Sequence, residues 1–368
     1  MDLKGGGVCK PDSLVRIAVI LGDGVGHDVL PVATKVIEEA AAACGVEVEP
    51  TIYGYGAQHY LEKGSPLPED VPALVQDLSV RHDAILFGSA GLDPRVPKEV
   101  NCRPLLRELR RGLDLYVNFR PAPLLDRRFC PLRADVPIDL VVIRENTEGK
   151  MSFRGEIFKE GTPDEVTVYD DINTYRGIER ICRYSFEYAR SRGYPKVSMA
   201  DKGGGQGIWY RVFWEVAQHY SDIEAEHIYI DTLCLELIQH PERFSVIVTN
   251  NMFGDILSDL CAGLVGGMGM SASGCIHPGR VGMFEPAHGT APDICFQDKA
   301  NPFAAVLTGR ILLDTLGHQK AADLIWDAVC LAVKEDKLTS DLGGDLGTQA
   351  VGDYLCKAVG RLAKQRVV

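Results

Sequence analysis

Asp255 and Asp259, in the segment NNMFGDILSD, stand four residues apart, so a helix stacks both carboxylates on one face. Two like charges held together repel unless a cation lies between them, and a hard divalent ion such as Mg²⁺ takes oxygen ligands of this kind. A solvated acidic helix face has the same spacing. Asp231, in YIDTLCLEL, follows a short apolar run, and a carboxylate at a strand end lies near the crevice where α/β proteins bind ligands. It would equally serve as the N-cap of a helix beginning at Thr232. Lys202, in MADKGGGQG, also follows a strand, and the glycines behind it let a ligand approach closely. Beside a cation its amine is a candidate general base; as an exposed loop lysine it has no such role.

A second set suits anions. Arg103, Arg107, Arg110 and Arg111 recur at spacings of three and four, hence roughly on one helix face, with Arg120 and Arg144 at later element ends. Arginine pairs bidentately with carboxylate or phosphate, although an exposed basic helix partly balanced by Glu108 reads the same way. The loop GDGVG at 22–26 follows a strand and opens a helix, but the G-x-G-x-x-G spacing of a dinucleotide fingerprint fails. In EPAHGTAPD at 285–293, Gly289 and its small neighbours expose backbone N–H groups. Asp293 there can accept hydrogen bonds from ribose hydroxyls and would repel a 2′-phosphate.

These residues must be positioned by an alternation of strands and helices. Short apolar runs at 15–21, 84–87, 140–143, 197–200, 228–230 and 246–249 predict buried strands, mostly ending in glycine or polar residues. Amphipathic stretches at 28–44, 105–111, 173–192, 207–220, 303–316, 323–334 and 349–365 predict helices, with Asn173 and Asn301 as caps. The alternation is that of the α/β class with a largely parallel sheet. The polar stretch 151–171 has the composition of an extended arm, and no linker separates the halves.

The 368 residues, 46% hydrophobic and 24% charged, suffice for a core of two or three domains. A net charge of -12 argues against nucleic acid and anionic membranes as partners, though not against a small anionic ligand. Eleven scattered cysteines without CxxC spacing predict buried thiols in a reducing cytosol and no zinc site. The polar, glycine-rich start carries no apolar signal segment, so a cytoplasmic location is expected.

Taken in order, GDGVG, RENTEG at 144–149, Lys202, YID at 229–231, GDILSD at 254–259, EPAHGTAPDI at 285–294 and DLGG at 341–344 resemble the metal-dependent β-decarboxylating dehydrogenases, the isocitrate, homoisocitrate, 3-isopropylmalate and tartrate enzymes. The resemblance spans nearly the whole chain. It implies two interlocked α/β domains, not a Rossmann fold: a discontinuous cofactor domain, 1–115 with 264–368, and a central domain, 116–263, holding the dimer interface and arm. It implies NAD bound by Glu285, His288, Gly289, Thr290, Ala291, Asp293 and Asn301. Mg²⁺ or Mn²⁺ would be held by Asp231, Asp255 and Asp259, with Lys202 and Asp231 catalytic and Arg110, Arg120 and Arg144 clamping the substrate carboxylates. It implies a homodimer whose sites take Lys202 and Asp231 from one subunit and Asp255 and Asp259 from the other.

The chain departs from that pattern in places. Met151 stands where the family has a tyrosine taken to protonate carbon after decarboxylation, Gly204 where it has an asparagine, and His27 where proline is common. Methionine donates no proton, so water or another group must, or the chemistry stops at oxidation. Arg103 and Arg107 occupy the stretch that reads the C3 side group, which isopropylmalate enzymes make apolar. The expected substrate is therefore a 3-substituted malate with an anionic arm: isocitrate, homoisocitrate or a phosphonate such as phosphonomethylmalate. The alternatives are a tartrate- or malate-type diacid, 3-isopropylmalate, or a non-catalytic regulatory subunit.

Overall fold

The computed structural model describes residues 14–133, 135–152, 155–203 and 207–366. Gly204 lies outside them. The elements run β1 (Leu14–Gly22), α1 (Gly26–Ala42), β2 (Glu47–Tyr53), α2 (Ala57–Lys63), α3 (Val71–Arg81), β3 (Ala84–Ser89), α4 (Arg103–Gly112), β4 (Val117–Pro123), β5 (Asp139–Glu145), β6 (Gly155–Phe158) and β7 (Val166–Tyr169). They continue α5 (Tyr175–Arg192), β8 (Lys196–Asp201), α6 (Ile208–Ala217), β9 (Glu224–Tyr229), α7 (Ile230–Gln239), β10 (Val246–Thr249), α8 (Asn251–Leu264), β11 (Ala272–Ile276), β12 (Gly282–Pro286), α9 (Phe303–Thr315), α10 (Gln319–Lys334) and α11 (Thr348–Arg366). The fold is α/β, as the alternation predicts.

The chain divides into two compact units. The first comprises 14–115, 124–131 and 262–366, and its strands lie in the order β2-β1-β3-β12-β11. All neighbours there are parallel except β11 with β12. β1 and β3 are continuous apolar runs because both sheet faces are covered. Ile20, Ile85, Phe87 and Met283 pack with Val75 and Leu78 of α3 and with Leu105 and Leu109 of α4. Burying the two leucines turns the other face of α4, with its arginines, away from this core.

The second unit comprises 116–123 and 132–261, with strand order β4-β5-β10-β8-β9. β4 and β5 are antiparallel; β5, β10, β8 and β9 are parallel. Helix α5 buries Ile178, Ile181, Cys182 and Phe186, and Phe186 stacks on Phe213 and Tyr220. The cap of α5 is Thr174, which accepts from the Gly177 N–H, and not the predicted Asn173. Asn173 is engaged elsewhere, accepting from Trp209 Nε1 at 2.9 Å and donating to Asp171. Within the expected arm, β6 and β7 pair as a separate antiparallel ribbon whose residues are exposed on both faces. Among the described residues no helix is long and apolar enough to cross a membrane.

Candidate active site

Lys202 and Asp231 meet because their strands are parallel neighbours. Asp201, the last residue of β8, is in register with Tyr229, the last of β9, so the following residues emerge side by side at the strand ends. Lys202 Nζ lies 2.6 Å from Asp231 Oδ1 and 5.7 Å from the Tyr229 ring centroid. The Lys202 ammonium holds the Asp231 carboxyl below the usual carboxylate range. Helix α7 begins two residues earlier than expected from the sequence, at Ile230 rather than Thr232, so Asp231 lies in its first turn and Tyr229 is the cap. One residue back, the buried Asp201 carboxylate lies 2.8 Å from His227 Nε2, which ties the end of β8 to β9.

Asp255 and Asp259 are stacked along α8, as the spacing predicts. The antiparallel pairing of β4 with β5 sets Arg120 and Arg144 beneath them. Arg144 donates to Asp255 and, through Nε and Nη2, to Asn251 Oδ1 at 3.0 and 2.6 Å. Arg120 donates to Ser258 Oγ at 2.7 Å and to Asn118 Oδ1 at 3.0 Å, and lies 3.6 Å from each aspartate. Both arginines are buried while the aspartate side chains are 43% and 60% exposed, so the carboxylates present their free oxygens outward. Partial burial pushes the Asp259 carboxyl up; Arg120 opposes that and Asp255 adds to it. α8 can approach β5 this closely because residue 254 is glycine: a Cβ there would stand 2.5 Å from that of Arg144. Two adjacent, outward carboxylates are a suitable donor pair for a hard divalent cation. Asp231 does not join them within one chain: the described residues contain no group of three His, Cys, Asp or Glu side chains able to hold a metal.

The loop after β12 carries the predicted dinucleotide residues. His288 Nδ1 lies 2.9 Å from its neighbour's carbonyl, while its Nε2 is buried with no hydrogen-bond partner among the described residues. Burial lowers the His288 pKa, leaving a neutral imidazole with an unused acceptor. Gly289 and Asp293 are exposed, and Ala291 has a positive φ of 37°. The Thr290 carbonyl accepts from Val25 N–H at 2.9 Å, and Gly24 fits beneath it only because a Cβ there would be 2.2 Å from that oxygen. The GDGVG loop therefore buttresses this loop, although its glycine spacing is no fingerprint. An orphaned buried ring nitrogen beside exposed backbone and a carboxylate fits an adenosine group.

Two residues of that set face inward. Glu285 is buried and accepts from Arg110, and the Cys275 thiol points at the same oxygen. Asn301 accepts from Phe303 N–H and donates to Asp341 Oδ2, both at 2.9 Å, while the cap position of α9 is Pro302 and not the expected Asn301. Arg103 is exposed and donates to the Ala90 carbonyl at 3.3 Å; Arg107 is exposed on the next turn. Met151 lies, partly buried, in a 3₁₀ turn after β5.

Sequence reasoning passed over Asp23 and Asp93. Asp23 is fully buried and accepts from the backbone N–H groups of Ala57, Gly91 and Cys102, tying α2, the loop after β3 and the start of α4 together. Asp93 accepts from Gly24 N–H and from the Arg95 guanidinium. Neither carries a local signal, since their partners lie mostly 30 to 80 residues away.

Residues 16–355 match the isocitrate/isopropylmalate dehydrogenase family. The chain is 38% identical over 358 residues to 3-isopropylmalate dehydrogenase of Clavibacter sepedonicus, covering 94% of this chain and 98% of that protein. It is 36% identical to tartrate dehydrogenase/decarboxylase of Pseudomonas putida, covering 96% of this chain and 100% of that protein. Its structure is similar to that of isocitrate dehydrogenase from Methylococcus capsulatus, with a TM-score of 0.81, 32% identity and coverage of 94% and 99% of the two chains.

Proposed function

The chain belongs to the isocitrate/isopropylmalate dehydrogenase family of NAD(P)-dependent β-decarboxylating dehydrogenases, and from that premise we propose that it oxidises and decarboxylates a 3-substituted malate, using NAD and Mg²⁺ or Mn²⁺. The observation that carries the reading is the Lys202–Asp231 contact at the ends of adjacent parallel strands. It puts a base candidate within hydrogen-bond reach of a candidate metal ligand.

In this reading Lys202, acting as the free amine, takes the proton of the substrate 2-hydroxyl; NAD, when bound, would supply the acceptor for the hydride of C2. The C3 carboxylate of the resulting 2-oxo acid departs as CO₂, its bonding electrons pass into the C2–C3 enolate, and water then gives C3 a proton, because Met151 has none to donate. A divalent cation bound by Asp231, Asp255 and Asp259 would supply Lewis-acid polarisation of the 2-hydroxyl and its carboxylate. Arg110, Arg120 and Arg144 bind substrate carboxylates; without substrate each is occupied by an internal acid, Glu285 for Arg110 and Asp255 or Asp259 for the others. His288, Gly289, Thr290, Ala291 and Asp293 receive the dinucleotide. Glu285, held by Arg110, and Asn301, held by Asp341, complete the dinucleotide set. Since one chain does not assemble the three aspartates, the working site belongs to a homodimer in which Asp231 of one subunit joins Asp255 and Asp259 of the other. Exposed Leu235 and Ile238 on α7 and Ile256 on α8 support such an interface.

For the C3 group, the names of the relatives support 3-isopropylmalate or a tartrate-type diacid better than an anionic arm. A second reading, with isocitrate, homoisocitrate or phosphonomethylmalate as substrate, rests on the exposed guanidinium groups of Arg103 and Arg107 on α4. The test is kcat/KM across isopropylmalate, tartrate, isocitrate, homoisocitrate and phosphonomethylmalate with NAD and NADP. Preference for isopropylmalate or tartrate ends the anionic reading, and activity with none of the five ends the proposal.

A further inference from the structure

Phe296 sits in the left-handed region, with φ 62°, where a bulky side chain is a genuine outlier. Ala291 at 37° and Asp298 at 55° share the condition within the same loop. Burial does not explain it, because Phe296 remains 45% exposed. Its neighbours hold it instead. The Phe296 N–H donates to Asp28 Oδ2 at 2.8 Å, the Arg95 guanidinium carbon lies 4.4 Å from the ring centroid, and the His27 ring lies 5.7 Å away.

Arg95 is itself fixed. Its Nε and Nη2 donate to Asp93 at 2.9 Å each, Nη1 donates to Gln58 Oε1 at 3.2 Å, and Nη2 also reaches His27 Nε2 at 3.1 Å. With Nε, both Nη2 hydrogens and one Nη1 hydrogen engaged on the protein, the guanidinium acts as a rigid plate against one side of the ring, held there by cation–π attraction. A strained backbone that persists with an exposed ring points to function rather than packing.

We propose that Phe296, clamped by Arg95, His27 and Asp28, is a stacking surface for the adenine ring of the dinucleotide. The inference rests on the reading that the loop from His288 to Asp293 receives that cofactor. Phe296 lies three residues beyond Asp293, the residue assigned to the adenosine ribose, and adenine is the flat aromatic group at that end. Neither pyrophosphate nor ribose would use an aromatic face whose cationic neighbour is already neutralised.

The test is Phe296→Gly in the full chain. Glycine adopts φ 62° without penalty, so the melting temperature should hold or rise. NADH binding by fluorescence and AMP binding by displacement should weaken about tenfold or more, as loss of a base-stacking aromatic does. Reduced nicotinamide mononucleotide, which lacks adenine, should bind as before, and Phe296→Tyr should bind NADH normally. Unchanged NADH affinity in Phe296→Gly overturns the proposal, as does an equal loss for the mononucleotide or a collapsed melting temperature. If the unsubstituted protein binds neither NADH nor AMP, the cofactor reading itself fails, which separates the two.

Discussion

Lys202 is 56% exposed and touches Asp231 without supporting a core, so its role is separable from folding. Lys202→Met should leave the melting temperature within a degree or two yet lower kcat by about 10²–10⁴, the range for loss of a general base, with a smaller change in KM. Asp93 tests the scaffold. Burial alone would raise its carboxyl, but Arg95 and the Gly24 N–H outweigh that and bring it to about 2 from 3.8. A depressed folded-state pKa means stabilisation that is complete above about pH 4 and lost as pH falls toward 2, roughly 2 kcal/mol in all. The difference between wild type and Asp93→Asn in urea melts should stay constant from pH 7 to about 4 and narrow below. Thr308 makes the opposite case: its buried hydroxyl has no partner among the described residues, so Thr308→Val should be neutral or stabilising by up to about 1 kcal/mol. At this scale the sequence displays candidate side chains through type and spacing, but not what they touch. Glu285 reads as a cofactor contact, and nothing in its own segment shows that the fold also brings Arg110, 175 residues away, onto it.

Elements carry the clearest sequence signal where burial is two-sided or strongly periodic. β1, β3, β5, β8 and β10 are legible as apolar runs, and α1 and α4 as stripes. β2 is not, because it lies at a sheet edge with alternating partial exposure and contains Pro50. β11 and β12 escape because glycines and single polar residues interrupt short strands whose burial comes from α9. The junctions are set by close approaches rather than by propensity. Gly254 lets α8 reach β5, so Gly254→Ala should cost about 1–3 kcal/mol by overpacking against Arg144. The same change should raise the KM for the hydroxy acid, since Arg144 and Asp255 are displaced together; calorimetry and steady-state kinetics on the variant check both.

For the whole molecule, the acidity noted at the outset is unevenly used. Aspartates 255 and 259 lie over buried arginines, and Asp231 pairs with Lys202 in the same unit without joining them. If two chains share each site, Lys202→Met and Asp255→Asn are each inactive alone. Mixed and reassembled one to one, they should regain about a quarter of wild-type activity, because half the dimers are hybrids with one intact site. No recovery would place all the catalytic groups of a site in a single subunit.

The central claim, oxidative decarboxylation coupled to NAD, is tested most directly by measuring NADH and CO₂ together. The purified chain would be given Mg²⁺, NAD and each 3-substituted malate in turn. The account predicts one CO₂ per NADH with at least one substrate, both abolished by EDTA and restored by Mg²⁺ or Mn²⁺. No NADH with any substrate, or NADH formed without CO₂, would contradict it.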